Sequence, residues 1–248
     1  MKAVILVAGY ATRLFPLTEN KPKALLEFWG KPILNYIFDN MDKIDEIDEV
    51  YIVSNSRFYN NFSEWAKMLK TSKVIHVVDD GTDSDSNKLG AIGDLNMLLN
   101  SHKIDDDMMV LLGDNLFTYS LLEFYKYFKK VNADCVCVKH VKELEELQRI
   151  GVVELAGDQK VISFEEKPKI PKSDLGAFGA YIYKRESIPL VKRYVDEGNN
   201  VDAPGNLPAW LCKRQDVYAY VFEGECFDIG TVASYKEVQE NYKYLFVK

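Results

Sequence analysis

Short apolar runs alternate with amphipathic segments through the first 140 residues of the chain. The apolar runs cover residues 2–8, 50–54, 73–78, 108–113 and 134–141. Runs of this length and composition are typical of strands that are buried on both faces of a parallel sheet. Segments with helical spacing lie between them, at 31–42, 56–69, 89–99 and 119–131. The alternation predicts an α/β fold with helices on both faces of a central sheet.

The pattern changes near residue 150, where β-rich segments separated by turn residues replace the strand-helix alternation. These segments lie at 152–155, 160–166, 177–184 and 217–223. We expect closing helices near 186–196 and 231–246. Because the sequence contains no linker, repeat or low-complexity tract, it predicts a single domain with a smaller β-rich part built on the first sheet.

Composition and charge exclude several classes of function. The chain has 248 residues, with 31 Lys and Arg against 38 Asp and Glu, which gives a net charge of −7. Such a chain repels nucleic acids and anionic membrane surfaces, so neither is expected as a partner.

Nothing in the sequence indicates export or a membrane anchor. The first apolar run breaks at Gly9 without a cleavage site, and no apolar stretch approaches the roughly 18 residues of a spanning helix. The four cysteines are scattered, which argues against a disulfide framework. We expect a cytoplasmic protein, and the sequence leaves open whether it is a homo-oligomer.

The segment LVAGYATRLFPLTENKPKALLEF at 6–28 carries candidate chemistry. Gly9 ends a buried strand at the position where open α/β sheets bind ligands, and the small residues around it let backbone N–H groups approach phosphate oxygens. Residues 1–31 hold five basic side chains and two glutamates, a local charge of +3. The segment therefore predicts an anion site, although it matches neither the P-loop nor the G-x-G-x-x-G pattern.

Two aspartates follow other predicted strands. Asp114 lies in LLGDNLF and Asp228 in CFDIGT, both at strand ends. One or two carboxylates are sufficient protein ligands for Mg²⁺ when substrate phosphates and water supply the rest. The sequence therefore predicts a magnesium site, whereas each Gly-Asp pair taken alone is more often a turn.

A second basic segment, ISFEEKPK at 162–169, combines a strand with Glu165, Glu166 and Lys167. A carboxylate can accept hydrogen bonds from two sugar hydroxyls, and a lysine can hold a phosphate. Between residues 160 and 172 four lysines face two glutamates, a local charge of +2. Taken alone, this segment also fits a solvated charged turn.

These motifs together resemble those of the sugar-phosphate nucleotidyltransferases, the superfamily of glucose-1-phosphate thymidylyltransferase. The first stretch is similar to the G-x-G/A-T-R-L…P-K signature, with Ala11 where many members have glycine. The resemblance implies that Arg13 holds the β and γ phosphates and that Lys23 lies near the reacting phosphates. With the backbone near residue 88, it implies a nucleotide site formed by Leu6, Ala8, Gly9, Tyr10, Ala11, Thr12, Arg13, Leu89 and Gly90.

The other motifs resemble the rest of the family pattern, in the expected order. The resemblance assigns Asp114 and Asp228 to the catalytic Mg²⁺. It assigns hexose hydroxyls to Glu166, the sugar phosphate to Lys167 and a backbone contact with the sugar to Gly151. Residues 202–211 fit the region that precedes the second aspartate. Arg13, Lys23 and Lys167 are thus the candidate catalytic residues.

The resemblance implies a Rossmann-like three-layer fold with a central mixed, mostly parallel sheet. It divides the single domain, 1–248, into a nucleotide lobe (1–140), a sugar-phosphate lobe (141–230) and a closing helix (231–248). Because the chain ends soon after that helix, we expect no additional C-terminal β-helix. The implied reaction joins an NTP and a sugar 1-phosphate to give an NDP-sugar and pyrophosphate.

The choice of substrates stays open. We favour dTTP or UTP with glucose 1-phosphate, although the stretch NKLGAIGDL at 87–95 lacks the glutamine expected of thymidylyltransferases. GTP with mannose 1-phosphate, or CTP with a sugar phosphate or phosphocholine, is an alternative. A non-catalytic nucleotide-sugar sensor and a glycosyltransferase are alternatives of other classes. For the latter, the D-x-D spacing at Asp83 and Asp85 is better explained as a polar loop.

Overall fold

The computed structural model describes residues 1–247 and contains, within that range, thirteen strands and nine α-helices. The strands are β1 (Lys2–Leu6), β2 (Glu27–Phe28), β3 (Lys31–Pro32), β4 (Glu49–Ser54), β5 (Val74–Asp79), β6 (Met108–Leu112), β7 (Asn115–Phe117), β8 (Asp134–His140), β9 (Gly151–Leu155), β10 (Val161–Glu166), β11 (Leu175–Tyr183), β12 (Val217–Val221) and β13 (Cys226–Asp228). The helices are α1 (Ile33–Met41), α2 (Tyr59–Met68), α3 (Ala91–Ser101), α4 (Leu121–Val131), α5 (Leu144–Leu147), α6 (Ile188–Asp196), α7 (Asn206–Leu211), α8 (Val232–Asn241) and α9 (Lys243–Phe246).

Nine of the strands described within 1–247 form one mixed sheet. On one edge of β11 lie β6, β1, β4 and β5 in that order, and these four strands run parallel to one another. On the other edge, β8 pairs with β11 and also with β12. Strand β11 runs antiparallel to β6, β8 and β9, and β10 pairs antiparallel with β9. All of these strands except β10 and β11 therefore run in the same direction. The predicted α/β fold with a central mixed, mostly parallel sheet is confirmed.

Two different strands pair with the same edge of β11. Its first half, Leu175 to Ala177, pairs with β9, and its second half, from Ala180 to Tyr183, pairs with β6 on the same edge. Gly179 lies between the halves with φ +46, where a Cβ would come within 2.5 Å of Asn115 Nδ2. The β9–β10 hairpin thus diverges from the parallel strands at this glycine.

The apolar runs are strands because both of their faces are covered. In β1, Ala3 and Ile5 belong to one hydrophobic core, which includes apolar residues of α1, α2, α4 and α8. Val4 and Leu6 belong to a second core on the opposite face, with residues of α3, α6 and α7. Successive side chains of a strand point to opposite faces, so an uninterrupted apolar strand requires this three-layer arrangement.

The helices follow their apolar spacing and capping residues. In α4, Leu121, Phe124 and Phe128 lie on one buried face. The helix begins where Ser120 accepts a hydrogen bond from the N–H of Glu123, and ends at Asn132, whose φ is +52. Both features are favoured at helix ends.

The structure differs from the sequence-based prediction at the carboxyl end of the chain. The predicted closing helix divides at Tyr242 into α8 and α9, and Lys248, the last residue of the predicted segment, lies outside the described residues. Among residues 1–247, no helix is both long and apolar enough to cross a membrane.

Candidate active site

The loop after β1 is held by buried polar side chains. Asn55, which directly follows β4, donates from Nδ2 to the carbonyl of Ala8 at 2.7 Å and accepts from the N–H of Phe58 at 3.0 Å. Thr18 donates from Oγ1 to the carbonyl of Ala11 at 2.8 Å. Asn55 and Thr18 are both fully buried. A buried amide and a buried hydroxyl that are hydrogen-bonded in this way fix the path of the loop.

Ala11 has a left-handed backbone, with φ 48 and ψ 41. This conformation costs alanine more than it would cost glycine. The loop lines a cavity of about 380 Å³, which we call the loop cavity. Of the predicted nucleotide residues it is lined by Leu6, Gly9, Tyr10, Ala11, Thr12 and Arg13.

Lys23 joins the two predicted metal-binding aspartates. Its Nζ lies 2.8 Å from Asp114 Oδ2 and 2.8 Å from Asp228 Oδ1. Burial acts to lower the pKa of Lys23, but the charges and hydrogen bonds of the two aspartates outweigh it, and the pKa is raised. The side chain is therefore an ammonium ion that neutralises one of the two carboxylates.

Strand pairing brings the aspartates together from distant parts of the chain. Asp114 immediately precedes β7, and Asp228 is the last residue of β13. These strands pair antiparallel with Asp228 opposite Asn115, the neighbour of Asp114. Gly113 lies so close to β1 that a Cβ there would overlap the side chains of Val7 and Ile5.

The arrangement fits a magnesium ion. Two carboxylates already converge on one cation, the Lys23 ammonium, so an ion near that point would have oxygen ligands of the type that Mg²⁺ prefers. Within residues 1–247 no group of three or more His, Cys, Asp or Glu side chains is placed to hold a metal. The remaining ligands of such an ion would come from substrate oxygens and water.

A second cavity, of about 470 Å³, lies below the β9–β10 hairpin, and we call it the hairpin cavity. It contains all three residues predicted for the sugar phosphate: Gly151, Glu166 and Lys167. The Glu166 carboxylate lies between two glycines, because a Cβ at either Gly151 or Gly205 would contact Glu166 Oε2. Burial raises the pKa of Glu166, and the charge of Lys167 opposes that shift.

Lys167 leaves the strand in an unusual conformation. It follows the last residue of β10 with φ +49, and its N–H donates to the carbonyl of Ile150 at 3.0 Å. Lys167 is exposed and lines the hairpin cavity. A non-glycine residue with positive φ is strained, and such strain persists only where surrounding contacts impose it.

A third cavity, of about 240 Å³, begins at the first turn of α3, and we call it the α3 cavity. Of the predicted nucleotide residues, Leu6, Ala8, Gly9 and Gly90 line it, whereas Leu89 does not. Instead, the Leu89 Cβ lies 3.0 Å from the place where a Cβ on Gly93 would be. Two buried aspartates, Asp80 and Asp94, also line this cavity.

Asp114 connects the three spaces, since it lines the loop cavity, the hairpin cavity and the α3 cavity. Basic side chains lie on both sides of it, with Arg13 in the loop cavity and Lys167 in the hairpin cavity. The arrangement can hold two anionic molecules that meet at Asp114, because the cationic groups offset their mutual repulsion.

Sequence reasoning did not identify Asn55, Thr18, Asp80 or Asp94 as parts of this region. Asn55 and Asp80 could have been found, because each directly follows a strand whose carboxyl end points to the same edge of the sheet as β1. The positions of Thr18 and Asp94 depend on contacts that only the folded chain makes.

A family model described as nucleotidyl transferase matches residues 2–244 of the chain. A protein of Sulfolobus acidocaldarius, provisionally named a mannose-1-phosphate guanyltransferase, is 29% identical over 240 residues, which cover 96% of this chain and 62% of that protein. The bifunctional protein GlmU of Methanocaldococcus jannaschii is 31% identical over 254 residues, which cover 100% of this chain and 55% of that protein. The chain thus spans only part of the length of these relatives.

The fold is also found among solved structures. A UDP-glucose pyrophosphorylase complexed with UDP-glucose superimposes with a TM-score of 0.81 at 21% sequence identity, covering 98% of both chains. At this identity the likeness concerns the arrangement of helices and strands.

Proposed function

Because this chain belongs to the nucleotidyl transferase family, we propose that it transfers a nucleotidyl group from an NTP to a sugar 1-phosphate. The observation that carries the proposal is the pair Asp114 and Asp228, held 2.8 Å from the Lys23 ammonium where the loop cavity meets the hairpin cavity. In this proposal the NTP occupies the loop cavity and the sugar phosphate occupies the hairpin cavity.

The proposed reaction balances without an added acid or base. An oxygen of the sugar phosphate attacks the α-phosphorus of the NTP, and the bond from that phosphorus to the β-phosphate oxygen breaks. The products are an NDP-sugar and pyrophosphate. A phosphate monoester has its second pKa near about 6, so the attacking oxygen is already ionised at neutral pH.

The chain's own residues provide alignment and positive charge. Backbone N–H groups near Gly9 bind the phosphates, and Arg13 stabilises the charge that develops on the departing pyrophosphate. Lys167 holds the sugar phosphate, Glu166 accepts hydrogen bonds from sugar hydroxyls, and the backbone of Gly151 contacts the sugar. Lys23 offsets the repulsion between the two phosphates. These roles orient the reactants for in-line attack.

Asp114 and Asp228 would hold Mg²⁺ together with substrate oxygens. When bound, the ion would supply positive charge that draws electron density from the phosphates. For the two carboxylates to take this role, Lys23 must release at least one of them, and its ammonium is then free to bind a phosphate oxygen.

The proposed roles divide the chain into the same three parts that the sequence predicts. Residues 1–140 mainly bind the nucleotide, residues 141–230 mainly bind the sugar phosphate, and residues 231–248 close the domain.

Glucose 1-phosphate with dTTP or UTP is the pair of substrates that the sequence favours. Mannose 1-phosphate with GTP, and CTP with a sugar phosphate or phosphocholine, are the alternatives. The glutamine missing from residues 87–95 makes the base the least supported part of this assignment.

The test is pyrophosphate release with five NTPs against a panel of sugar 1-phosphates and phosphocholine, in the presence of Mg²⁺. We expect release with at least one pair and none when either substrate is omitted. Nucleotide binding without release for any pair would instead support the non-catalytic sensor. Transfer of a sugar from an NDP-sugar would support a glycosyltransferase.

A further inference from the structure

Tyr181 places a buried hydroxyl on the wall of the hairpin cavity. It lies in the second half of β11, is 3% exposed and lines this cavity together with Glu166. Burial and the charge of Glu166 raise the pKa of Tyr181, so the phenol is neutral at physiological pH and can donate its proton to a hydrogen bond. No step of the proposed reaction uses this residue.

The Tyr181 hydroxyl makes no hydrogen bond to another group within residues 1–247. In the same range, the side-chain atoms that are both fully enclosed and without a hydrogen-bond partner belong to Asp94, Asn96 and Tyr127. Tyr181 is not among them, so the small exposed part of this residue includes its hydroxyl. A polar group that is surrounded by protein and yet open to a cavity indicates that an occupant of the cavity supplies its hydrogen bond.

The sheet fixes the position of this hydroxyl. Tyr181 pairs with Val110 of β6 on one edge of β11 and with Val136 of β8 on the other. Its ring lies nearly parallel to that of Tyr183, with the ring centroids 6.1 Å apart, and both belong to the core on the side of α3, α6 and α7. A side chain that is held in this way loses little conformational entropy when it binds a ligand.

Glu166 supplies a second polar group in the same cavity. Like the Tyr181 hydroxyl, its carboxylate makes no hydrogen bond within residues 1–247. Because the charge of Glu166 acts on the pKa of Tyr181, the two groups are close enough to interact. The carboxylate can only accept hydrogen bonds, whereas the neutral phenol can also donate one. A sugar ring with adjacent hydroxyls can therefore satisfy both groups, while an acceptor without hydroxyls leaves the phenol unpaired.

We propose that the Tyr181 hydroxyl forms a hydrogen bond with a ring hydroxyl of the sugar phosphate, and that this contact makes the hairpin cavity selective for a polyhydroxylated acceptor. This inference rests on the proposed function, since it assumes that the hairpin cavity holds the acceptor.

The contact orders the acceptors that the sequence leaves open. Sugar 1-phosphates should be used in preference to phosphocholine, which carries no hydroxyl on its carbon chain. A site that pairs a substrate hydroxyl with a buried polar group discriminates strongly against an analogue that lacks the hydroxyl, because the buried group is then left unpaired.

The experiment compares Tyr181→Phe with the wild type, using the sugar 1-phosphate of the panel that gives the fastest pyrophosphate release, and the monodeoxy analogues of that sugar phosphate. We expect the variant to lower kcat/KM for the parent sugar phosphate about tenfold, because one hydrogen bond is lost and the sugar hydroxyl is left unpaired. KM for the NTP should stay within about twofold of the wild-type value. The wild type and the variant should use one analogue equally well, namely the one that lacks the hydroxyl contacted by Tyr181.

Tyr183→Phe is the matched control. Tyr183 is also 3% exposed and points to the same face of β11, but it does not line the hairpin cavity. The control should keep every kinetic value within about twofold of the wild type. Because the Tyr181 hydroxyl has no partner among the described residues, Tyr181→Phe should also keep the wild-type melting temperature, whereas loss of a structural hydrogen bond would lower it.

Three results would overturn the inference. An equal loss of kcat/KM with the parent sugar phosphate and with every monodeoxy analogue would show that Tyr181 affects the shape of the cavity rather than one hydroxyl. An unchanged kcat/KM in Tyr181→Phe, or phosphocholine as the preferred acceptor, would also contradict it while leaving nucleotidyl transfer intact. If neither a sugar 1-phosphate nor phosphocholine gives pyrophosphate release with any NTP, the proposed function fails as well.

Discussion

At the scale of single residues, the central feature of the site is that two aspartates share one lysine. Asp114 and Asp228 share one lysine at 2.8 Å each, so the resting site carries one net negative charge at the junction of two cavities. The position of the aspartates followed from the rule that ligands bind at the carboxyl ends of strands. The bridging by Lys23 could not be predicted, because it joins residues that are 91 and 205 positions away along the chain.

Asp114→Asn is the sharpest test at this scale. The amide removes one carboxylate from the pair and should lower pyrophosphate release by about 100-fold or more, because a preorganised charge at the reacting centre is lost. We expect the fold to survive, as Asp114 is partly exposed. Steady-state kinetics and circular dichroism measure the two effects. Asp174→Asn is the control, since Asp174 is an exposed carboxylate paired with His140. Normal release by Asp114→Asn would refute the assignment.

At the scale of elements, the sequence predicted well what burial on both faces imposes. Strands β1, β4, β6 and β8 read as uninterrupted apolar runs because a core covers each face. Strand β7 was missed, since it has three residues and pairs with β13, which lies more than 100 residues further along the chain. The break between α8 and α9 at Tyr242 was also missed.

The contact between α7 and β10 gives a prediction about the hairpin cavity. Gly205, the residue before α7, lies so close to Glu166 that an added methyl group would displace the carboxylate. We expect Gly205→Ala to raise KM for the sugar 1-phosphate about tenfold and to leave KM for the NTP unchanged, because misplacing a carboxylate weakens its hydrogen bonds to the sugar. Gly157→Ala, where a Cβ has open space, is the control. Equal increases in both KM values would argue against the assignment of Glu166.

The start of β8 gives a prediction about pH. Asp134 accepts hydrogen bonds from the N–H of Lys184 and from Ser187 Oγ, each at 2.8 Å, and from Gln215. Burial nevertheless raises its pKa from an ordinary 3.8 to about 6, and the hydrogen bonds oppose the shift. Between these values the folded state binds more protons than the unfolded state, so the contribution of Asp134 to stability falls as pH rises.

Denaturant unfolding of the wild type and Asp134→Asn from pH 4 to pH 7 measures this contribution. The free energy of unfolding of the wild type, relative to the variant, should fall by about 2–3 kcal/mol across this range. Asp158→Asn, at an exposed turn residue, should follow the wild-type curve. Parallel curves for the wild type and Asp134→Asn would show that Asp134 titrates normally.

At the scale of the whole molecule, charge is distributed unevenly. The net charge of −7 coexists with a charge of +3 over residues 1–31 and +2 over residues 160–172. The motif residues of both segments lie on the loop cavity and the hairpin cavity, which are small enough for single molecules rather than polymers. In a chain that is acidic as a whole, Arg13 in the loop cavity and Lys167 in the hairpin cavity thus place positive charge where small phosphates are proposed to bind.

The effect of ligands on the melting temperature tests whether Mg²⁺ and an NTP bind together at this site. Mg²⁺ alone should change the melting temperature little, since Lys23 already occupies both carboxylates. Mg²⁺ with a bound NTP at 100 times its Kd should stabilise the fold by about 2.7 kcal/mol, because the ligand binds only the folded state. Differential scanning fluorimetry with and without EDTA measures the effect. Asp228→Asn should lose the part that depends on Mg²⁺, and an equal response to NTP with and without Mg²⁺ would contradict the metal assignment.

The divided strand β11 has a consequence for how such a protein can diversify. The β9–β10 hairpin joins β11 through three residue pairs, from Leu175 to Ala177, and its turn joins β12 through a bridge between Lys160 and Tyr218. The loop after β1 is supported by the parallel strands on the other side of Gly179. Substitutions in the hairpin can therefore accumulate without changing the support of that loop. Under the proposed function, substitutions in the hairpin can change the choice of sugar phosphate while the loop that binds the nucleotide keeps its support.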